Sequence, residues 1–208
     1  MQTWAIVVAA GGGTRFGSVK QFARLGELSM LDRAVAVARE ACDGVVVVLP
    51  AGSDWLAPDD VRGATGGATR SASVRAGLAC VPDDADVVVV HDAARPLASR
   101  ALFDRVVAAV RNGADAAVPG MPVTDTVKRV RDHRVIETVP RDDLVAVQTP
   151  QAFRRSALQA AHASEGVGTD DAALVEAAGG TVVVVAGEAR NLKVTLADDL
   201  ELARAWLR

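Results

Sequence analysis

The segment Ala9-Ala-Gly-Gly-Gly-Thr-Arg-Phe-Gly17 sets three consecutive glycines and a cation at the end of an apolar run. Glycines there let the backbone close on a ligand and take positive φ, so that main-chain N–H groups can face an anion. With Gly11 and Gly13 aligned to the dinucleotide fingerprint, its last glycine would fall at Phe16, and no Gly-Lys-Ser or Gly-Lys-Thr follows as a P-loop requires. Arg15 and Lys20 instead bring two cations beside the turn. A second segment, His91-Asp-Ala-Ala-Arg-Pro96, follows a run of valines and sets the carboxylate of Asp92 at a strand end. One carboxylate suffices to hold magnesium when triphosphate oxygens and water complete the octahedron. A third, Gly66-Gly-Ala-Thr-Arg-Ser-Ala-Ser-Val74, is a small-residue loop opening a helix, with room for a flat base and the Ser73 hydroxyl for its edge. Arg141 and Lys193 are cations further along. Cations around one candidate metal carboxylate, without a Ser-His-Asp set, a G-x-S-x-G elbow or H-E-x-x-H, point to an anionic transition state. Phosphoryl or nucleotidyl transfer is chemistry of that kind, in which catalysis is positioning plus charge neutralisation.

The elements that must position these residues are legible as alternating blocks. Runs at 4–9, 45–49, 87–91, 116–118 and 182–185 are apolar on both faces, as strands of a parallel sheet covered on both sides are. Between and after them, 30–41, 71–80, 100–111, 154–163, 170–178 and 197–206 have helical periodicity, the last announced by Thr195 as an N-cap with Asp198 three residues on. The expected fold is an α/β doubly wound, mostly parallel, Rossmann-like sheet, whose ligands bind beyond the carboxyl ends of the strands. Residues 122–147 break the alternation: two β-like runs flank the polar turn Arg131-Asp-His-Arg134 and read as a protruding hairpin. A lone two-stranded hairpin is marginal in water, so this arm must lean either on a partner subunit or on its own sheet.

Composition bounds the function. The 208 residues fit one domain, 1–208, with the 122–147 arm inside it. Aromatic residues make up 3% and tyrosine is absent, which disfavours base-stacking platforms for single-stranded nucleic acid. The formal net charge of -3 argues against general polyanion binding, so no nucleic-acid partner is expected. No apolar run reaches the ~18–20 residues of a transmembrane helix, and the first residues carry no basic leader, so a soluble cytoplasmic protein without a membrane partner is expected. Cys42 and Cys80 lack C-x-x-C spacing and read as buried reduced thiols. His91 reads as structural, since neither His133 nor His162 stands at metal-ligand spacing from it.

Taken in order, Ala9-Ala-Gly-x-Gly-x-Arg15, Lys20-Gln-Phe22, His91-Asp-Ala-Ala-Arg-Pro96, Asp125-Thr-Val-Lys128, Gln148-Thr-Pro-Gln-Ala-Phe153, Thr169-Asp-Asp-Ala172 and Asn191-Leu-Lys-Val-Thr195 resemble the 2-C-methyl-D-erythritol 4-phosphate cytidylyltransferase (IspD) family over nearly the whole chain. The resemblance implies transfer of CMP from CTP to 2-C-methyl-D-erythritol 4-phosphate, with magnesium, release of pyrophosphate and a place in isoprenoid precursor synthesis. It implies that Arg15, Lys20, Arg141 and Lys193 are catalytic, with Arg15 and Lys20 neutralising the transition state and Asp92 binding the metal. Ala9, Ala10, Gly11, Gly12 and Gly13 would wrap the triphosphate, and Gly67, Ser73, Asp92, Ala93 and Ala94 would frame cytidine. Lys193 and Arg141 would place the sugar phosphate, in a pocket to which Arg95, Thr126, Lys128 and Thr169 also belong. The arm would be exchanged across a homodimer, so that Arg141 serves the neighbouring site. The motifs by themselves also suit a cytidylyltransferase for another polyol phosphate, such as ribitol 5-phosphate.

Overall fold

The computed structural model describes residues 1–11, 20–163 and 170–207. The chain opens with β1 (Gln2–Val8), a small hairpin of β2 (Arg24–Leu25) and β3 (Leu28–Ser29), α1 (Met30–Ala41), β4 (Gly44–Leu49) and β5 (Val61–Thr65). It continues through α2 (Arg70–Leu78), β6 (Ala85–Asp92), α3 (Arg100–Arg111), β7 (Ala116–Pro122) and the arm strands β8 (Val127–Arg131) and β9 (Arg134–Val139). After β10 (Val145–Val147) and β11 (Gln151–Arg154) come α4 (Arg155–Ala163), α5 (Asp171–Ala177), β12 (Val182–Ala186) and α6 (Ala197–Ala205).

The main sheet runs β7-β11-β6-β1-β4-β5, with β12 parallel on the other edge of β7. Every pairing is parallel except those of β10 and β11. The central strands are valine runs with both faces covered, and Val87 to Val90 of β6 are at most 1% exposed. Helices α1 and α3 bury one face and α2, α4 and α5 the other. In α3 the buried Leu102, Phe103, Val106, Val107 and Val110 recur at the three-to-four spacing of one helical stripe. A smaller cluster of Leu25, Met30, Val194, Leu200 and Ala203 ties α6 and the segment before it to the main body. No described helix is long and apolar enough to cross a membrane.

Several expectations are corrected. Strand β5 stands outside the expected apolar runs: it is an edge strand in which Val61 is buried and Ala64 half-buried, while Arg62, Gly63 and Thr65 are exposed. The 145–154 stretch, of which the sequence reading places 145–147 in the arm and assigns no strand to 148–153, lies antiparallel along β7, from Val145 opposite Pro122 to Phe153 opposite Ala116, broken at 148–150 around a cis Thr149–Pro150 bond. The arm is therefore narrower than 122–147, since Pro122 and 145–147 belong to the main sheet and only β8 and β9 stand apart from it. Asp132 and His133, with φ of 47° and 61°, form its turn in the doubly left-handed conformation that matches hairpin twist. The α6 N-cap is Leu196 rather than Thr195, because the Asp199 carboxylate accepts the N–H groups of both Thr195 and Leu196. Cys42 and Cys80 are free but half-buried rather than buried.

Phe153 fills the core under β11 at 0% exposure, between two strands that only this antiparallel segment joins. Phe153→Ala is expected to lower unfolding stability by about 3–5 kcal/mol in urea titration, the range for emptying a closed aromatic site.

Candidate active site

Three loops meet where β1, β4 and β6 end, laced by main-chain bonds: Ala9 N–H to the Val48 carbonyl (2.8 Å), Gly66 N–H to Leu49 (2.8 Å) and Ala93 N–H to Val8 (3.1 Å). The buried Gln21 side chain donates to the Ala9 carbonyl at 2.7 Å and fixes the start of the glycine turn. The loops approach so closely that a Cβ on Gly66 would lie 2.3 Å from that of Ala10. Ser73 is buried, its hydroxyl donating to the Thr69 carbonyl at 3.0 Å and accepting the Gly67 N–H at 3.2 Å. Through these bonds the hydroxyl shapes the loop at which the sequence expects the edge of a base.

Asp92 ends β6 between two cations. Arg70 sets Nε and a terminal nitrogen each 3.2 Å from Oδ1, and Lys193 Nζ lies 2.7 Å from Oδ2. Burial alone would raise the Asp92 carboxyl, but the Arg70 and Lys193 charges outweigh it and hold its pKa at about 2. Arg70 reaches on to Oδ2 of the fully buried Asp171 at 2.7 Å, and Oδ1 of Asp171 meets His162 Nε2 at 3.0 Å. Burial pulls the Arg70 pKa down, yet its two carboxylates reverse this and leave it above the usual value.

Behind Asp92 runs a neutral chain. The Asp92 N–H donates to Thr149 Oγ1 (3.0 Å), Thr149 Oγ1 lies 3.2 Å from His91 Nδ1, and His91 Nε2 lies 3.2 Å from the Arg95 carbonyl. A carbonyl only accepts, so Nε2 carries the proton and Nδ1 accepts from the threonine hydroxyl. Burial pushes the His91 pKa down to about 4, so the ring is neutral at physiological pH. Its position beside Asp92 serves structure, as the sequence suggests.

The segment bearing Lys193 is held by amides. Asn191 Nδ2 donates to the Thr149 carbonyl (2.8 Å) and to Gln148 Oε1 (3.2 Å), and Gln148 Nε2 donates to the Glu188 carbonyl (2.9 Å). Val194 N–H donates to the Ala94 carbonyl (2.8 Å), and Gln151 Nε2 to Asp170 (2.9 Å). Together Arg70, Asp92, Arg95, Thr149, Gln151 and Lys193 line much of a cleft of about 200 Å³.

The structure thus gathers Ala9, Ala10, Gly11, Gly67, Ser73, Asp92, Ala93, Ala94, Arg95 and Lys193 at one sheet edge. Arg95 is a frame residue as much as a substrate contact, donating to the carbonyls of Asn191 (2.7 Å) and Val147 (3.3 Å). Arg141, Thr126 and Lys128 are not brought to that edge: all three are exposed in the arm or at its base. Arg141 bonds the Thr124 carbonyl, and Lys128 the Thr138 hydroxyl at 2.6 Å. Gly12, Gly13, Arg15 and Thr169 lie outside the described residues, as does the side chain of Lys20, whose backbone begins a short 3₁₀ turn. Arg70, Thr149 and Asn191 carry functions that sequence reasoning missed. The signal for Arg70 was there, a guanidinium one residue after the Thr69 helix cap at the edge where ligands bind.

Among the described residues no group of three or more His, Cys, Asp or Glu side chains could hold a metal by itself. Asp92 nonetheless suits magnesium, being a hard oxygen donor kept ionised, with phosphate oxygens of a substrate needed to complete the shell. Both oxygens of Asp171 are already engaged by Arg70 and His162.

The family model described as IspD: 2-C-methyl-D-erythritol 4-phosphate cytidylyltransferase matches residues 3–208. The chain belongs to the IspD family. A curated IspD relative, the 2-C-methyl-D-erythritol 4-phosphate cytidylyltransferase of Frankia casuarinae, is 48% identical over 213 residues, covering 98% of this chain and 80% of that protein. The Rhodococcus jostii enzyme of the same name is 46% identical, covering 97% of this chain and 93% of its own length. The bifunctional IspD/IspF enzyme of Anaeromyxobacter dehalogenans is also 46% identical, but this chain spans only 56% of it. The crystal structure of the Thermus thermophilus 2-C-methyl-D-erythritol 4-phosphate cytidylyltransferase superposes with a TM-score of 0.86 at 37% identity, covering 98% of both chains.

The neutral His91 makes folding pH-dependent. Its folded pKa of about 4 lies below the ordinary 6.5, so the unfolded chain binds the proton first. The stability it contributes is complete above pH 6.5 and is lost as pH falls toward 4, roughly 2 kcal/mol of it between pH 7 and pH 5. Asp92 acts in a lower window, its contribution being present above 3.8 and lost as pH falls through about 2. In urea titrations His91→Asn is expected to be less stable than the natural protein at pH 7 but to lose much less on going to pH 5. An unchanged pH slope in the variant would assign that dependence elsewhere.

Proposed function

We propose that this chain transfers CMP from CTP to 2-C-methyl-D-erythritol 4-phosphate, giving 4-diphosphocytidyl-2-C-methyl-D-erythritol and pyrophosphate for isoprenoid synthesis in the cytoplasm. The observation that carries the reading is the ionised Asp92 shared by Arg70 and Lys193 beside a glycine-lined seat, in a chain matched from residue 3 to 208 by one family. An oxygen of the substrate phosphate attacks the α-phosphorus of CTP, a P–O–P bond forms, and the bond to pyrophosphate breaks. That oxygen is already anionic at neutral pH, so no general base is needed. The enzyme must hold two anions together and neutralise the charge that grows between them.

In this reading Ala9 to Gly13 wrap the triphosphate with main-chain N–H groups, and Arg15 and Lys20 stabilise the pentavalent phosphorus. Gly67, Ser73, Ala93 and Ala94 wall the cytidine seat. Asp92 would hold magnesium, which when bound offsets phosphate charge. Lys193, 44% exposed and bonded to Asp92, turns from that carboxylate to a phosphate oxygen. Arg95 lines the sugar-phosphate side. Thr126, Lys128 and Thr169 belong to that side, and Arg141 completes it from the neighbouring subunit of a homodimer, which the exposed Val130, Val135 and Ile136 of the arm support, since apolar residues on an isolated hairpin favour a partner surface.

Pyrophosphate release should require CTP, magnesium and 2-C-methyl-D-erythritol 4-phosphate together; faster turnover of ribitol 5-phosphate would redirect the substrate assignment. Lys20→Ala is expected to lower kcat by about 100-fold or more while changing CTP affinity only a few-fold, as for a contact made mainly in the transition state. Mixing inactive Arg141→Ala and Lys193→Ala proteins should restore part of the activity through heterodimers with one intact site. No recovery after subunit exchange would confine Arg141 to its own chain.

A further inference from the structure

Asp92 has two unequal oxygens. Oδ1 faces Arg70, which sets two nitrogens 3.2 Å from it and is itself tied at 2.7 Å to Asp171. Asp171 is fully buried and backed by His162, whose side chain is 2% exposed. Three side chains in series, on α2, α5 and α4, thus hold one oxygen from the interior. Among the described residues Oδ2 meets only Lys193, on an exposed side chain with a flexible four-carbon stem. The residue types fit the division, because a guanidinium is a planar fork suited to fixed pairing and an ammonium a compact charge that re-aims easily. Only three of the 23 cationic side chains are lysines, Lys20, Lys128 and Lys193, so the lysine at Oδ2 stands out against a chain that otherwise uses arginine.

We propose that Arg70, Asp171 and His162 are positioning residues that lock Oδ1 of Asp92, so that nucleotide binding exchanges the partner of Oδ2 alone and frees Lys193 without unbalancing the buried carboxylate. Removing either cation from a buried pair leaves an uncompensated charge, and an enzyme that moves Lys193 must keep a second cation in place while it does so. Arg70 keeps that place only if Asp171 holds it, since a guanidinium released from Asp171 would follow the outgoing lysine into the cleft. This inference rests on the proposed CTP binding, and its test separates the two.

Calorimetric titration of CTP with magnesium, without the second substrate, measures binding apart from turnover. If the natural protein binds no CTP, the functional reading fails. If it does, Asp171→Asn should weaken CTP binding about tenfold, as loss of supporting partners around an active-site ligand does, with a smaller change in kcat. Arg70→Met should weaken it at least as much, and Arg70→Lys, which keeps the charge without the fork, should recover part of the loss. In the Arg70→Met background Asp171→Asn should have less than about a twofold further effect, because the two act as one unit. Thermal unfolding of each variant identifies those that remain folded, and Arg70→Lys carries the test if Asp171→Asn does not fold. CTP affinity unchanged in a folded Asp171→Asn or Arg70→Lys protein, or effects that add fully in the double variant, would overturn the proposal.

Discussion

A carboxylate at the end of a buried strand is an expensive group to keep ionised, and much of the site is arranged around keeping Asp92 so. Arg70 comes from the start of α2, after the Gly66-to-Thr69 loop, Lys193 from the segment before α6, and the main-chain N–H of Asp92 itself is taken up by Thr149. Three stretches far apart in sequence therefore converge on one residue. With the cations in place the group stays charged well below neutral pH; without them burial would favour the protonated acid, which neither coordinates a metal nor holds a lysine.

The neutral frame behind Asp92 explains why so many polar residues stand in an apolar core. His91, Thr149, Gln148, Gln151 and Asn191 are all at most 7% exposed. An unpaired polar group at such depth destabilises the fold, whereas a paired one fixes geometry. Gln148 bonds both the N–H and the carbonyl of Glu188, as another strand would, and Asn191 ties the Lys193 segment to the broken strand. The frame carries no charge of its own, so it positions the charged pair without competing for it.

The parallel core was legible because runs such as Val45 to Val48 and Val87 to Val90 have no polar face, which only a sheet covered on both sides tolerates. Asp92 and the glycine turn were legible for the same reason, since the end of such a strand is where a charge and a flexible backbone have work to do. Arg70 left only its place one residue after the Thr69 cap as a trace, because what gives it a role are its ties to Asp92 and to Asp171, 101 residues away, which no spacing rule connects. Strand β11 was hidden by Gln148-Thr-Pro-Gln151, whose polar residues and proline disguise a strand that pairs on both edges. The arm's turn was visible in Arg131-Asp-His-Arg134, but its limits were not, because Val145 to Val147 pair with β7 rather than with the arm.

That pairing also resolves a topological difficulty. A parallel sheet admits a new neighbour only through a crossover of a dozen or more residues, whereas an antiparallel return needs only a turn. Running 145–154 back along β7 brings the chain from the arm into the sheet's interior between β7 and β6, without a crossover helix. The same path sets the break at 148–150 beside the end of β6, where Thr149 meets Asp92 and Gln148 meets Asn191. Arm and site therefore share one strand, and Arg95 joins them again by donating to Val147 at the end of β10 and to Asn191 two residues before Lys193. The chain that leaves the arm through β10 therefore runs, two residues on, into the threonine that accepts the Asp92 N–H.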